Sequence, residues 1–142
     1  MEINSDCRIQ GPPKQEGLIN HPREKLMANA DRERMELVFT NIIGNAIKYT
    51  PQSGDIIINA IRKGKGISID ILDTGIGIPD KDIDNIFQRF YRVRGSASSF
   101  PGSGVGLYIS SEIIKSHGGD MWAESEIGKG SVFHFSIPAD VD

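Results

Sequence analysis

Apolar positions along the chain recur with two periods. Between Asp31 and Tyr49, residues Met35, Val38, Phe39, Ile42, Ile43 and Ala46 return at helical spacing, which predicts an amphipathic helix with these side chains as its core face. Asp31 is a good N-cap, and Thr50-Pro51 stops the helix because the residue before a proline disfavours helical backbone. Asp55–Arg62 is rich in isoleucine and reads as a strand. Lys63-Gly64-Lys65-Gly66 turns it back into a second strand, Ile67–Asp73. In that strand Ile67, Ile69, Ile71 and Asp73 share one face, because strand side chains alternate. Short helices are predicted over Asp80–Ile86, just after Pro79, and over Gly104–Ser116, which His117-Gly118-Gly119 closes. Met121–Glu124 and Ser131–Ile137 give a final strand pair around Gly128-Lys129-Gly130. Residues 1–24 are polar and broken by Gly11-Pro12-Pro13 and His21-Pro22, which predicts extended or loop structure. Short strands are expected around Cys7–Gln10 and Lys25–Asn29.

The order helix, two strands, loop, helix, two strands predicts an α+β fold. Its form is a two-layer sandwich, with a mostly antiparallel sheet backed by helices on one face. Residues 31–142 form the main domain, and residues 1–30 are expected to be an extended segment at its edge. Composition agrees with a globular chain: 38% apolar and 25% charged. No apolar run approaches the roughly 20 residues that span a bilayer, and no charged-then-apolar leader is visible. A cytoplasmic domain without direct membrane contact is expected. Sixteen basic against nineteen acidic residues give a net charge of −3, which disfavours a nucleic-acid partner. The single cysteine, Cys7, excludes an internal disulfide and a cysteine metal cluster. Glycine is the outlier at 16 of 142 residues, above the usual share of about 7%.

Four stretches could carry chemistry, and each has a plainer reading beside it. Asn41, Asn45, Lys48 and Tyr49 fall side by side on the first helix. Amides and an ammonium suit a metal–phosphate pair, although a polar stripe is also what any amphipathic helix presents to solvent. Asp73-Thr74-Gly75-Ile76-Gly77-Ile78-Pro79 can be a simple turn. Yet Asp73 points to the helix-covered face, where a carboxylate needs a donor such as the exocyclic amine of adenine. Gly102-Ser103-Gly104-Val105-Gly106-Leu107 precedes a helix, an arrangement that favours phosphate or a flexible linker. It fits neither a P-loop nor a dinucleotide fingerprint. Phe87–Ser103 carries Arg89, Arg92 and Arg94 without an acid, and is either a functional lid or an ordinary loop. The three histidines show no metal-ligand spacing. His117 is placed to favour a helix C-terminus electrostatically, and Trp122 and the phenylalanines are assigned to the core.

Taken in order, Asn41-x-x-x-Asn45-x-x-Lys48-Tyr49, Asp73-x-Gly75-x-Gly77, Phe87-x-x-Phe90 and Gly104-x-Gly106-Leu107 resemble one family. It is the catalytic and ATP-binding domain of bacterial sensor histidine kinases, part of the ATPase superfamily that includes gyrase, a heat-shock chaperone and mismatch-repair proteins. The stretches match its N, G1, F and G2 boxes, and Gly130-Ser131-Val132-Phe133 is similar to a weaker final glycine box. The resemblance spans about residues 31–138. It implies a mixed, mostly antiparallel sheet with ATP held between helix and mobile lid. It further implies that Asn45 ligates Mg²⁺, Asn41 supports the metal–phosphate end, Lys48 contacts phosphate and Tyr49 packs near ribose and base. Asp73 accepts from the adenine amine, with Gly75, Gly77, Ile78 and Ser131 around the base. Gly102, Gly104, Val105, Gly106 and Leu107 shape the lid's turn onto the phosphates. Arg92 or Arg94 supplies the lid cation, and Phe87 and Phe90 anchor the lid.

Hydrolysing members of the superfamily carry a glutamate at the position of Asn41, and an amide cannot activate water as a base. The resemblance therefore implies transfer of the γ-phosphoryl to a protein side chain. No histidine here has the helical, acid-followed setting of a phosphoacceptor: Pro22 follows His21, two glycines follow His117, and His134 lies in a strand pattern. The implied partners are a separate dimerisation and phosphoacceptor histidine domain and a downstream response regulator. The parent protein is a candidate membrane-anchored sensor. Two rivals share the nucleotide pocket pattern: a serine kinase of the anti-sigma type, and a non-catalytic nucleotide-binding module.

Overall fold

The computed structural model describes residues 2–4, 6–10, 18–20, 25–27, 30–51, 53–91 and 105–138, the first four segments by backbone alone. Helix α1 spans Arg32–Tyr49. Asp31 caps it by accepting from the Arg34 amide at 3.1 Å, satisfying one of the donors a helix start leaves open. Thr50 ends it in extended backbone before Pro51. Strands β5 (Asp55–Lys63) and β6 (Gly66–Asp73) form the expected hairpin. Ahead of them lie β1 (Glu2–Asn4), β2 (Asp6–Gln10), β3 (Leu18–Asn20) and β4 (Lys25–Met27). After them come α2 (Asp80–Ile83), α3 (Gly106–Ser116), β7 (Asp120–Glu126) and β8 (Gly130–Pro138).

The principal sheet has the order β3-β2-β5-β6-β8-β7, and β1 pairs with β4 in a separate two-stranded sheet. Every described pairing is antiparallel. β6 therefore sits between β5 and β8, and its alternate residues Ile67, Ile69, Ile71 and Asp73 are all buried. On the same face lie Ile56, Ile58 and Ala60 from β5 and Phe133, Phe135 and Ile137 from β8. The apolar stripe of α1 (Met35, Val38, Ile42, Ala46) and Ile113 and Ile114 of α3 complete that core. Phe39 of α1 meets Phe135 edge-on, with ring centroids 5.4 Å apart.

Two helices are shorter than their sequence pattern. α2 closes at Ile83 and continues as turns, where an Asp80–Ile86 helix was expected. α3 begins at Gly106; the expected start, Gly104, lies outside the described residues. Trp122 does not join the core. It is 42% exposed, because Met121, Ala123 and Ser125 take the inward positions of β7 and alternation sends Trp122 outward. There it stacks on His134 at 5.2 Å, whose Nδ1 lies 2.6 Å from Asp70 Oδ1. His117 also departs from expectation. The Asp31 N–H donates to its Nε2 at 3.1 Å, and its Nδ1 lies 2.8 Å from the Ile113 carbonyl. A carbonyl only accepts, so Nδ1 carries the proton and the ring is neutral. His117 bridges the end of α3 to the start of α1 by hydrogen bonds, not by a positive charge.

Phe135 is fully buried at the centre of this packing. Phe135→Ala removes the aromatic pair with Phe39 and leaves a cavity, so it is expected to lower unfolding free energy by about 3–5 kcal/mol. Urea unfolding followed by circular dichroism measures the loss.

Candidate functional site

Asp73 ends β6 on the helix-covered face, with Ile56 of β5 opposite on one side and Ser131 of β8 on the other. It is buried. Its Oδ1 accepts from the Gly75 N–H at 2.9 Å and the Ser131 N–H at 3.3 Å. Neither donor engages Oδ2. Burial pushes the Asp73 carboxyl above its ordinary value of 3.8, and the two backbone donors pull it part of the way back.

The backbone around this carboxylate is packed against itself. The Ile76 N–H donates to the Tyr49 carbonyl at 3.2 Å, and the Gly128 N–H donates to the Ile76 carbonyl at 3.0 Å. A Cβ at Gly75 would overlap the Tyr49 carbonyl, so the loop can reach the end of α1 only without a side chain there. Gly77 has φ +79°, and a Cβ on it would overlap the Glu126 carbonyl. The room these glycines make is thus filled by the protein's own chain. Beneath the loop, Ser125 Oγ accepts from the Ile78 N–H at 2.7 Å and donates to the Gly130 carbonyl at 2.9 Å. Its single hydrogen is then used, so Ser131 Oγ, 2.8 Å away, must donate to it.

Tyr49 therefore marks one end of the site, where α1 meets the Asp73 loop. Asn41, Asn45, Lys48 and Tyr49 are all half-buried along that helix, and Lys48 and Tyr49 have bonding partners. Among the described residues nothing bonds to the Asn45 carboxamide. Asn41 lies eight residues before Tyr49, about 12 Å along the axis at 1.5 Å per residue. At that end Asn41 Nδ2 donates to the Gly106 carbonyl and to Ser110 Oγ, each at 3.2 Å. These bonds join α1 to the first turn of α3. The N-cap of α3 is Val105, and among the described residues no side chain caps it, an arrangement that suits an anion. Leu107 is half-buried against the core.

The segment before the arginine-rich stretch is pinned twice. Phe87 meets Phe133 edge-on at 6.2 Å, and the Tyr91 hydroxyl bonds the buried Asp82 carboxylate. Between these anchors Phe90 is 62% exposed with φ +64°, an unusual backbone for a bulky residue. The Arg89 guanidinium lies 5.0 Å over its ring. Phe87 is thus packed into the body of the domain, and Phe90 is not. Arg92, Arg94, Gly102 and Gly104 lie outside the described residues, as does the remainder of the expected lid.

Sequence reasoning missed Ser110, Ser125, Asp82 and Tyr91. A signal existed for the serines. Ser125 and Ser131 are cross-strand partners at inward positions, and Ser110 sits on the core side of α3, four residues after Gly106. Hydroxyls at positions that period demands be apolar mark polar networks.

Three comparisons bear on this arrangement. The family model for the histidine kinase-, DNA gyrase B-, and HSP90-like ATPase matches residues 30–141. Sensor histidine kinase WalK of Bacillus subtilis (strain 168) is 39% identical over 126 residues, covering 87% of this chain and 21% of that protein. The adaptive-response sensory kinase SasA of Synechococcus elongatus is 40% identical over 127 residues, covering 88% of this chain and 33% of that protein. The chain thus spans a fifth to a third of the length of these curated relatives. Among solved structures, the mycobacterial sensor histidine kinase MprB superposes with a TM-score of 0.75 at 27% identity, covering 83% of this chain and 80% of that one. Full-length ShkA in complex with AMPPNP superposes at 0.70 with 29% identity, covering 82% of this chain and 24% of that one.

The raised Asp73 carboxyl has a consequence for stability. Its folded form holds a proton at pH values where the unfolded chain, titrating near 3.8, has lost it. Stability of the wild type therefore falls as pH rises from about that value through the raised one, and stays low above it. Asp73→Asn keeps an oxygen for both N–H donors and carries no charge. The variant is expected to match the wild type near pH 4 and to melt higher at pH 7. Paired thermal melts between pH 4 and pH 7 check this, and a gap that widens toward acid contradicts it.

Proposed function

The chain belongs to the histidine kinase-, DNA gyrase B-, and HSP90-like ATPase family, and from that premise we propose that it binds Mg-ATP as the catalytic domain of a sensor histidine kinase. The observation that carries this reading is Asp73: a buried carboxylate with one oxygen saturated by backbone donors and the other unengaged. An acceptor oxygen that neither backbone donor reaches can take a donor from a ligand, and the exocyclic amine of adenine supplies one. The arrangement at the other end suits phosphate, with the uncapped start of α3 offering N–H groups and the helix dipole.

Between these ends Lys48 is the cation beside the phosphates, and Tyr49 borders the ribose and base. Asn45 would hold Mg²⁺ through its amide oxygen. Among the described residues no group of three His, Cys, Asp or Glu side chains could hold a metal alone, so an ion at Asn45 would draw its remaining ligands from phosphate and water. When bound, the ion neutralises phosphate charge. Gly75, Gly77, Ile78 and Ser131 frame the base; Val105, Gly106 and Leu107 stand at the phosphate end, with Gly102 and Gly104 before them. Arg92 or Arg94 completes the charge neutralisation, and Phe90 stands at the root of the lid.

Asn41 favours transfer over hydrolysis, since a carboxamide does not take a proton from water. The γ-phosphoryl passes to a histidine on a separate dimerisation domain and from there to a response regulator. Positioning and electrostatics supply most of the rate in such transfers. His117 has both ring nitrogens committed within the fold, and His134 is held in its strand through Nδ1 by Asp70, which supports an acceptor elsewhere. Among the described residues no helix is long and apolar enough to cross a membrane. A cytoplasmic setting fits this role.

Titration calorimetry with ATP, with and without Mg²⁺, tests the proposal. Saturable binding is expected. Asp73→Ala should weaken both ATP and adenosine about ten- to a hundredfold, the loss of a charge-assisted hydrogen bond. Asn45→Ala should remove only the increment that Mg²⁺ adds and leave adenosine unchanged. Absence of saturable ATP binding by the wild type overturns the reading, and brisk ATP turnover without an acceptor overturns the transfer mechanism.

A further inference from the structure

We infer that Ser110 is a positioning residue: it fixes the orientation of the Asn41 carboxamide and, through it, the phosphate end of the site. The inference rests on the nucleotide-binding reading above and adds a residue to it.

An asparagine side chain can present either its oxygen or its nitrogen to a neighbour, and the choice follows from the partners. Gly106 offers a carbonyl, which only accepts, so Asn41 must turn its nitrogen toward α3. The second hydrogen of that nitrogen goes to Ser110 Oγ. Both N–H bonds are therefore spent on α3, and Asn41 Oδ1 is left as the free end of the amide. Gly106 brings the helices close enough for this contact: a Cβ built there would lie 3.6 Å from Asn41 Cγ.

Ser110 is fully buried, in a helix turn where Ile113 and Ile114 are also buried. A hydroxyl at a core position needs a partner to offset its desolvation, and Asn41 is that partner. With Gly106 alone, the amide would keep one bond and could rotate about it. With both acceptors it is held at two points, on a helix whose next turn carries Asn45. The bond also links α1 to α3 directly at the end where α3 receives the anion. Replacing Ser110 therefore disturbs how Asn41 meets the phosphates without touching the Asp73 pocket, eight residues and about 12 Å of α1 away.

The test uses the whole chain, with AMPPNP in Mg²⁺, AMPPNP in chelator, and adenosine as three probes. Ser110→Ala is expected to weaken Mg-AMPPNP binding about three- to tenfold, the range for one hydrogen bond, and to leave adenosine binding unchanged. Adenosine binding also reports that the variant is folded. In an Asn41→Ala background the same change should have no further effect, because Ser110 acts through Asn41. Three results overturn the inference: Mg-AMPPNP binding within twofold of wild type, an equal loss for adenosine, or effects of the two changes that simply multiply. If the wild type binds neither AMPPNP nor adenosine, the nucleotide-binding reading itself fails and takes this inference with it.

Discussion

The constraint on which the rest of the structure depends is a carboxylate placed inside the domain. Asp73 is the last inward residue of β6, a strand flanked on both sides, so alternation aims its side chain at the helical layer. A charge there is unfavourable unless donors meet it. The chain supplies two, from Gly75 just after the strand and from Ser131 on the adjacent strand. The turn at Gly75, its approach to the end of α1 and the close pass of Gly130 by the Asp73 backbone all follow from that need. The two donors do not fully offset the desolvation, which is why the carboxyl stays above its ordinary range. A ligand with a further donor would complete what the fold leaves incomplete. On the nucleotide-binding reading proposed above, that shortfall in stability is what binding would recover.

Helix α1 sets the distance between this pocket and the start of α3. Its C-terminal carbonyl at Tyr49 accepts from the Asp73 loop, and its middle, at Asn41, is bonded to α3. The helix is straightforward to read as a sequence: a side-chain cap, six apolar positions at one spacing and a proline stop. That local consistency lets it serve as a rigid spacer. The polar stripe along its edge inherits the same rigidity, so Asn41, Asn45 and Lys48 are ordered by secondary structure before any ligand arrives. Preorganisation of this kind lowers the entropy lost on binding.

Much of the fold was legible because period and punctuation agreed. The β5–β6 hairpin, the inward face of Asp73 and the glycine stop after α3 needed no tertiary information. The departures arise where the local pattern is too short to decide or where a tertiary contact decides. Met121-Trp122-Ala123-Glu124 is too short to say which face is inward, and the larger side chain turned out to be the exposed one. His117 looked like a charge at a helix end until the Asp31 N–H, 86 residues away, committed its second nitrogen. Phe90 adopts a left-handed backbone that no phenylalanine advertises; the Phe87–Phe133 and Tyr91–Asp82 contacts hold the segment on either side of it. At the site, the residue types were visible, but which atoms face which were not. The crowding at Gly75 and Gly77, for instance, is against the protein's own carbonyls.

The amide at position 41 joins the chemistry to the architecture. Its nitrogen is committed to a carbonyl oxygen and a serine on α3. A carboxylate in the same place would face that carbonyl with no hydrogen to offer, and repulsion would turn it away or separate the helices. The donor character of Asn41 is therefore demanded by α3 independently of the reaction. On the transfer mechanism proposed above, the residue that would decide between water activation and transfer is constrained by packing between two helices as well as by catalysis. A change of reaction class at this position would require the first turn of α3 to change with it, because neither helix can satisfy its polar groups alone.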